Sequence, residues 1–218
     1  DTRVCLTDGR RVPIRELVGT SPDVWSMDAQ QRLIGAHADK VWPVGRRAIS
    51  CIKLASGRSV RVTAEHRLLS GSGWVKAGEL QLGSRLALAR RIPEPLNFQR
   101  WPDHWLVLLG HLVGDGSYVS HQPLRYTTAS EENSLAVWQA AEKFGCRVSR
   151  HVGRGAWHQL VISGNGNRWH PAGVGRWLKE LGIFGQRSHE KHLPEAVFML
   201  GNEQIAQLLR HLWATDGS

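Results

Sequence analysis

Residues 108–118 read LLGHLVGDGSY and residues 209–218 read LRHLWATDGS. Both are apolar runs at helical spacing that stop on Asp-Gly, one at Asp115 and the other 101 residues later at Asp216. Glycine after a helix accounts for one such ending, because it tolerates the left-handed backbone of a helix terminus. It does not account for two acidic side chains at the negative pole of the helix macrodipole. A bound cation does. Gly110 and Gly114 stand four residues apart on one face of the first helix, and small residues so spaced let a second helix approach closely. If the two helices pack in parallel through that face, Asp115 and Asp216 emerge side by side, where carboxylates can hold a hard divalent ion such as Mg²⁺. Two metal-bearing carboxylates over a basic surface describe a phosphodiester hydrolase.

Composition sets the frame. The chain has 218 residues, 41% hydrophobic and 22% charged, the profile of a globular protein of one or two domains. No apolar run approaches the roughly 20 residues needed to cross a bilayer, and no charged-then-apolar leader is present. A cytoplasmic protein without a membrane partner is expected. Cys5, Cys51 and Cys146 are odd in number and widely spaced, so neither a disulfide framework nor a zinc site is indicated. A net charge of +9 and a pI near 10.2 favour a polyanionic partner, most often nucleic acid. The excess is uneven: residues 1–93 carry +8 and residues 94–218 carry +1, although nine of the eleven histidines lie in the second stretch.

The chain changes character near residue 93. Up to Leu88, short apolar runs are punctuated by turn signals such as Asp8-Gly9, Ser56-Gly57 and Gly83, which predicts an all-β region. ISCIKLASGRSVRVT, residues 49–63, reads as a hairpin around Ala55-Ser56-Gly57. RRIPEPLNFQRWP, residues 90–102, holds three of the nine prolines and no periodicity, as a connector does. Beyond it the spacing predicts a helix over 103–114, a hairpin over 117–128, and a helix capped by Ser130 and running to Gly145. A second hairpin over 146–163 and a helix near 174–181 follow, so the order is α-β-β-α-β-β-α, and Asn202 is placed to cap the last helix. Trp74, Trp105, Trp138, Trp177 and Trp213 read as core residues, whereas Trp157 and Trp169, beside Gly, His and Arg, read as exposed.

LLGHLVGDG (108–116) and LRHLWATDG (209–217) resemble the paired motifs of LAGLIDADG homing endonucleases, and the α-β-β-α-β-β-α order between them is that family's half-domain topology. RSHEKHLPEAVF (187–198) is similar to the lysine-and-proline block such endonucleases carry when they reside in inteins. The resemblance implies Mg²⁺ at Asp115 and Asp216, double-stranded DNA as substrate, and Lys191 as a catalytic-site lysine stabilising charge at the scissile phosphate. One departure bears on packing. The position matching Gly110 is His211 in the second motif, so the tight helix contact is expected to be hindered there.

The first region resembles the splicing blocks of inteins. RVTAEHRLLSGSGWVKAGEL (61–80) has the block's Thr-x-x-His signature in Thr63 and His66, DTRVCLTDGRRVPIREL (1–17) is similar to the segment after an intein's first residues, and VWSMD (24–28) fits the next strand. The wording is most similar to inteins of bacterial replicative DNA helicases. The implied fold is α+β: an all-β, horseshoe-like Hint splicing region over 1–93, then the N-terminal half of a LAGLIDADG endonuclease over 94–218, ending at its second motif. In that family a Cys or Ser attacks the preceding peptide carbonyl to form a (thio)ester. The histidine protonates the departing nitrogen and the threonine helps hold the strained bond, so His66 and Thr63 inherit those roles. The pattern of nucleophile, three residues, then Asp-Thr places the nucleophile four positions upstream of Asp1, leaving Cys5 as a strand residue. The C-terminal His-Asn signal is also missing from the 218 residues, so an N-terminal fragment, or an intein whose ends were removed, is expected, not splicing as written.

Implied partners are the intein-free host gene site and, in cis, the host protein's exteins; splicing needs no cofactor. Within the second hairpin, Arg147, Arg150, His151, Arg154 and His158 are candidate phosphate and groove contacts, against the alternative of a solvated sheet face. Three readings stay open. They are an intein with a working homing endonuclease, a splicing domain with a degenerate, inactive endonuclease, and a non-enzymatic basic DNA-binding protein.

Overall fold

The computed structural model describes residues 2–153, 155–167 and 169–216, with residue 216 described by its backbone alone. The chain forms two compact units, Asp1–Pro93 and Glu94–Ser218.

The first unit is built from antiparallel hairpins: β1 (Arg3–Cys5) with β2 (Arg11–Pro13), β3 (Asp23–Met27) with β4 (Leu33–His37), β5 (Ser50–Lys53) with β6 (Ser59–Val62), and β7 (Arg67–Ser70) with β8 (Gly73–Lys76). Three of them close through one loop geometry. The N–H of Leu6, Asp28 and Leu54 donates to the carbonyl four residues on, and that of Gly9, Gln31 and Gly57 donates back to the first residue. The residue donating back sits at φ 90°, 61° and 79°, which is why two of the three are glycine. Gln31 tolerates the position because the Asp28 carboxylate accepts the N–H groups of Gln30 at 3.0 Å and Arg32 at 2.8 Å, locking the loop. Among the described residues buried apolar side chains are few here, Leu6, Leu17 and Val62. Trp74, expected in a core, is 59% exposed: its hairpin of four-residue strands has too little apolar surface to enclose an indole.

The second unit runs α1 (Asp103–Asp115), β9 (Gly116–Ser117), β10 (Leu124–Thr128), α2 (Glu131–Glu142), β11 (Arg147–Val152), β12 (His158–Ser163) and α3 (Gly173–Glu180), followed by α4 (Asn202–Asp216). The four strands form one antiparallel sheet in the order β11-β12-β10-β9. Alternation along each strand turns Leu124, Tyr126, Leu160 and Ile162 into the core beneath the helices. Ser130 Oγ accepts the Asn133 N–H at 3.2 Å, as an N-cap does. At the other end of α2, Gly145 takes φ 73° and Cys146 N donates to Ala141 O. The far end of the core is an aromatic cluster, with Trp101, Trp105, Phe144 and Trp177 ring centroids 4.9–6.5 Å apart. Buried Gln204 of α4 ties that cluster to the last helix, accepting from Trp101 N at 2.9 Å and donating to Trp101 O at 2.6 Å.

Two expectations about α4 fail. The first N–H of α4 is capped from afar by Glu94, whose Oε1 accepts Asn202 N at 2.6 Å; Asn202 is itself the first helical residue. Trp213 is 63% exposed, because at 100° per residue it points away from the stripe that packs on α1.

Candidate functional site

The site begins where α1 meets α4. A Cβ added to Gly110 would lie 2.7 Å from His211 Cβ and 2.9 Å from Leu208 O, and one added to Gly114 would lie 1.9 Å from Thr215 Oγ1. The helices are therefore in backbone contact and parallel, with residue n of α1 opposite residue n + 101 of α4. Continuing that register by one residue sets Asp115 beside position 216, the last residue of each helix. The Asp216 side chain lies outside the described residues.

His211 does not hinder the packing. A single glycine supplies the clearance, and the imidazole turns sideways into a hydrogen-bonded chain: His211 Nδ1 lies 3.3 Å from His111 Nε2, and His111 Nδ1 lies 3.1 Å from Tyr126 Oη. His111 is 1% exposed. Burial, reinforced by His211, lowers its pKa to about 4; burial, reinforced by Arg210, also lowers that of His211. Both rings are neutral at neutral pH, so one ring can donate and the other accept. Burial pushes the Tyr126 phenol up to about 12, keeping it protonated as the end of the chain. From α2, Asn133 Nδ2 donates to Ala214 O at 3.0 Å and steadies the last turn of α4. Sequence reading missed this chain, whose signal was a histidine repeated in both motifs.

Lys191 reaches the same end of α1. Its Nζ donates to the carbonyls of Leu112 (3.3 Å), Gly114 (2.9 Å) and Gly116 (2.7 Å) and sits 5.4 Å from the centroid of the buried Tyr118 ring. The expected catalytic-site lysine is thus adjacent to Asp115, held by backbone carbonyls. Carboxylate oxygens are hard donors that suit Mg²⁺. Among the described residues no group of three or more His, Cys, Asp and Glu side chains is placed to hold a metal.

The sheet corrects the expected DNA contacts. Arg147 and His151 belong to the face away from the helices, whereas Arg150 pairs with buried Leu160 and lies on the helix side. There its guanidinium is spoken for, bound to the Glu131 carboxylate at 2.5 and 2.7 Å with the His158 ring 3.2 Å away. His158 is 2% exposed and cannot reach a groove. Arg154 lies outside the described residues. Strand register adds Arg125, Thr127 and Gln159 to the outer face, with Gln159 Nε2 donating to Thr127 Oγ1 at 3.1 Å. Period two alone would have separated Arg147 and His151 from Arg150.

In the first unit, Thr63 and His66 occupy the two ends of one turn between β6 and β7, closed by His66 N donating to Thr63 O at 3.1 Å. Thr63 is half-buried and His66 exposed. The GWVKAGEL stretch fixes this turn from the side: Ala77 N donates to His66 O, Gly78 N to Ala64 O, and Lys76 pairs with Glu65 at 2.7 Å. A Cβ on Gly78 would lie 3.1 Å from Ala64 Cβ, so glycine permits the approach. Cys5 is the last residue of β1.

No family model matches the chain. All of it aligns with the replicative DNA helicase DnaB of Rhodothermus marinus at 40% identity over 227 residues, which is 24% of that protein. The RecA protein of Mycobacterium tuberculosis matches at 28% identity over 229 residues, covering 98% of this chain and 28% of RecA. Among solved structures, a DnaB intein from Synechocystis is 31% identical, with a TM-score of 0.40 over 41% of this chain and 66% of that one. No helix is long and apolar enough to cross a membrane among the described residues. The chain spans about a quarter of the length of the curated relatives it matches, and along its whole length it is homologous to a segment of bacterial replicative DNA helicases.

Proposed function

We propose that the chain is part of a large intein, an insertion that excises itself from its host protein, with an embedded LAGLIDADG-type endonuclease. One observation carries the insertion reading: the same stretch, matched over at least 98% of this chain, occurs in two differently named proteins, a helicase and RecA. Similarity along nearly the whole chain to segments of two otherwise different proteins supports a movable unit. In the splicing reaction an upstream Cys or Ser attacks the junction carbonyl; His66 gives a proton to the departing amide nitrogen and Thr63 holds the amide. The exposed His66 ring on a turn braced by Ala77 and Gly78 suits a group that must meet a junction strand.

The second unit serves as the DNA-cleaving half. Support comes from the parallel, glycine-mediated contact that brings residues 115 and 216 to one end of the helix pair, and from an outer sheet face bearing Arg125, Arg147 and His151. Those three bind the duplex backbone, and Mg²⁺, when bound by Asp115 and Asp216, supplies charge stabilisation at the scissile phosphate. The test is cleavage of a plasmid carrying the uninterrupted host-gene site by the complete intein with Mg²⁺. Cutting by wild type that Asp115→Asn abolishes supports the reading; failure of both to cut leaves a splicing domain with an inactive endonuclease.

A further inference from the structure

The inner strands of the sheet, β12 and β10 in the order β11-β12-β10-β9, turn Arg125, Thr127, Gln159 and Val161 to the outer face, in alternation with buried Leu124, Tyr126, Leu160 and Ile162. The four strands read GS, LRYTT, RVSRHV and HQLVIS, without an Asp or a Glu, so they offer a polyanion no like charge. Gln159 is the only Asn or Gln among them. A carboxamide sets an N–H donor and a carbonyl acceptor side by side in one plane. Adenine presents the matching pair in the major groove, its N7 acceptor and N6 amino donor, and glutamine bonds both at once. Gln159 stands directly across from Thr127, and its Nε2 donates to Thr127 Oγ1 at 3.1 Å. That bond uses one amide hydrogen and leaves the other, with Oε1, for a ligand. It also removes rotamer freedom that an untethered glutamine would lose on binding. The cations flank this pair: Arg125 lies two residues from Thr127 on β10, and His151 is opposite Gln159 on the edge strand β11, which also carries Arg147. A two-stranded ribbon fits the major groove, so with β10 and β12 in the groove the amide faces base edges while the edge strand faces phosphates.

We infer that Gln159, held by Thr127, is a specificity-determining residue that recognises an adenine of the DNA target through the major groove. This rests on the DNA-cleaving reading of the second unit, and it adds sequence selection to a face whose arginines and histidine bind the backbone.

The experiment is competition binding of the complete intein, without Mg²⁺ so that no strand is cut, to duplexes carrying the uninterrupted host-gene site and each of its single base-pair substitutions. For wild type, replacing one particular A·T pair is expected to weaken binding about tenfold or more, the discrimination of a bidentate base contact. In Gln159→Ala that position is expected to accept every base pair within about threefold, with preferences elsewhere unchanged. Gln159→Glu is expected to move the same position towards cytosine, because a carboxylate accepts from the cytosine N4 amino group; a merely structural glutamine would produce no such exchange. Thr127→Val should keep the adenine preference in weakened form, and Arg147→Ala should lower binding to every duplex by the same factor. Positional preferences in Gln159→Ala identical to wild type, or a loss spread evenly over all duplexes as in Arg147→Ala, would overturn the inference and leave the DNA-cleaving reading standing. If wild type binds the host-gene site no better than a scrambled duplex, that reading fails and the inference with it. Should Gln159→Ala not fold, Gln159→Glu decides alone, and an unchanged adenine preference in that variant overturns the inference.

Discussion

Replacing His111 with glutamine tests the imidazole chain between α1 and α4. Folding buries this ring to 1% exposure and lowers its pKa from 6.5 to about 4, burial first and His211 second. Since the folded pKa lies below the unfolded one, the unfolded chain takes up the proton first as pH falls. The stability tied to His111 is therefore intact above pH 6.5 and is lost as pH drops from 6.5 towards 4. At ~1.4 kcal/mol per pH unit the full loss is about 3 kcal/mol, and between pH 7 and pH 5 it is about 2 kcal/mol. Four groups bear on the chain: Tyr126 stays protonated throughout, Asp115 acts on Tyr126, Arg210 acts on His211, and His211 shifts in the same direction as His111. Urea unfolding of the full chain at the two pH values, followed by fluorescence of the core Trp101, Trp105 and Trp177 cluster, measures the loss. Carboxylates titrating over this range do so equally in His111→Gln, so the difference between the two proteins isolates the imidazole. Wild type should lose about 2 kcal/mol more than the variant, and an identical pH dependence would refute the buried, neutral assignment of His111.

Two further substitutions probe the helix contact and the sheet. Gly114→Ala puts a methyl 1.9 Å from Thr215 Oγ1 and 2.7 Å from its Cβ, so thermal unfolding should show a loss of ~1–3 kcal/mol despite the better helix propensity of alanine; adding Thr215→Ala should recover part of it. Arg150→Ala, which removes an exposed pair with Glu131, should leave thermal unfolding almost unchanged and DNA affinity within about threefold. Arg147→Ala should instead weaken DNA binding and flatten its salt dependence by roughly one ion, as measured by titration at several salt concentrations.

Much of the second unit was legible because its cues are local. Ser130, Gly145 and Gly182 punctuate the helices, and the two hairpins alternate cleanly. The illegible parts depend on approach between segments distant in sequence. Glu94 caps a helix that starts 108 residues later. Whether His211 could sit opposite Gly110 depended on the direction its ring takes, and that is set by His111 and Tyr126, not by the motif. Trp74 and Trp213 looked like core residues because indoles usually are, yet one stands on a thin hairpin and the other behind the contact stripe. At the turn between β6 and β7, the sequence sets Thr63 and His66 three residues apart, while the brace from Ala77 and Gly78 is an approach of two segments that no local pattern reports.

The most direct test of the central claim is the mass of the products when the complete host precursor containing this segment is expressed. The insertion reading predicts two species, a joined host protein lacking the segment and the free segment, with His66→Ala shifting the yield towards unspliced precursor. A single product that retains the segment, unchanged by His66→Ala, would contradict it.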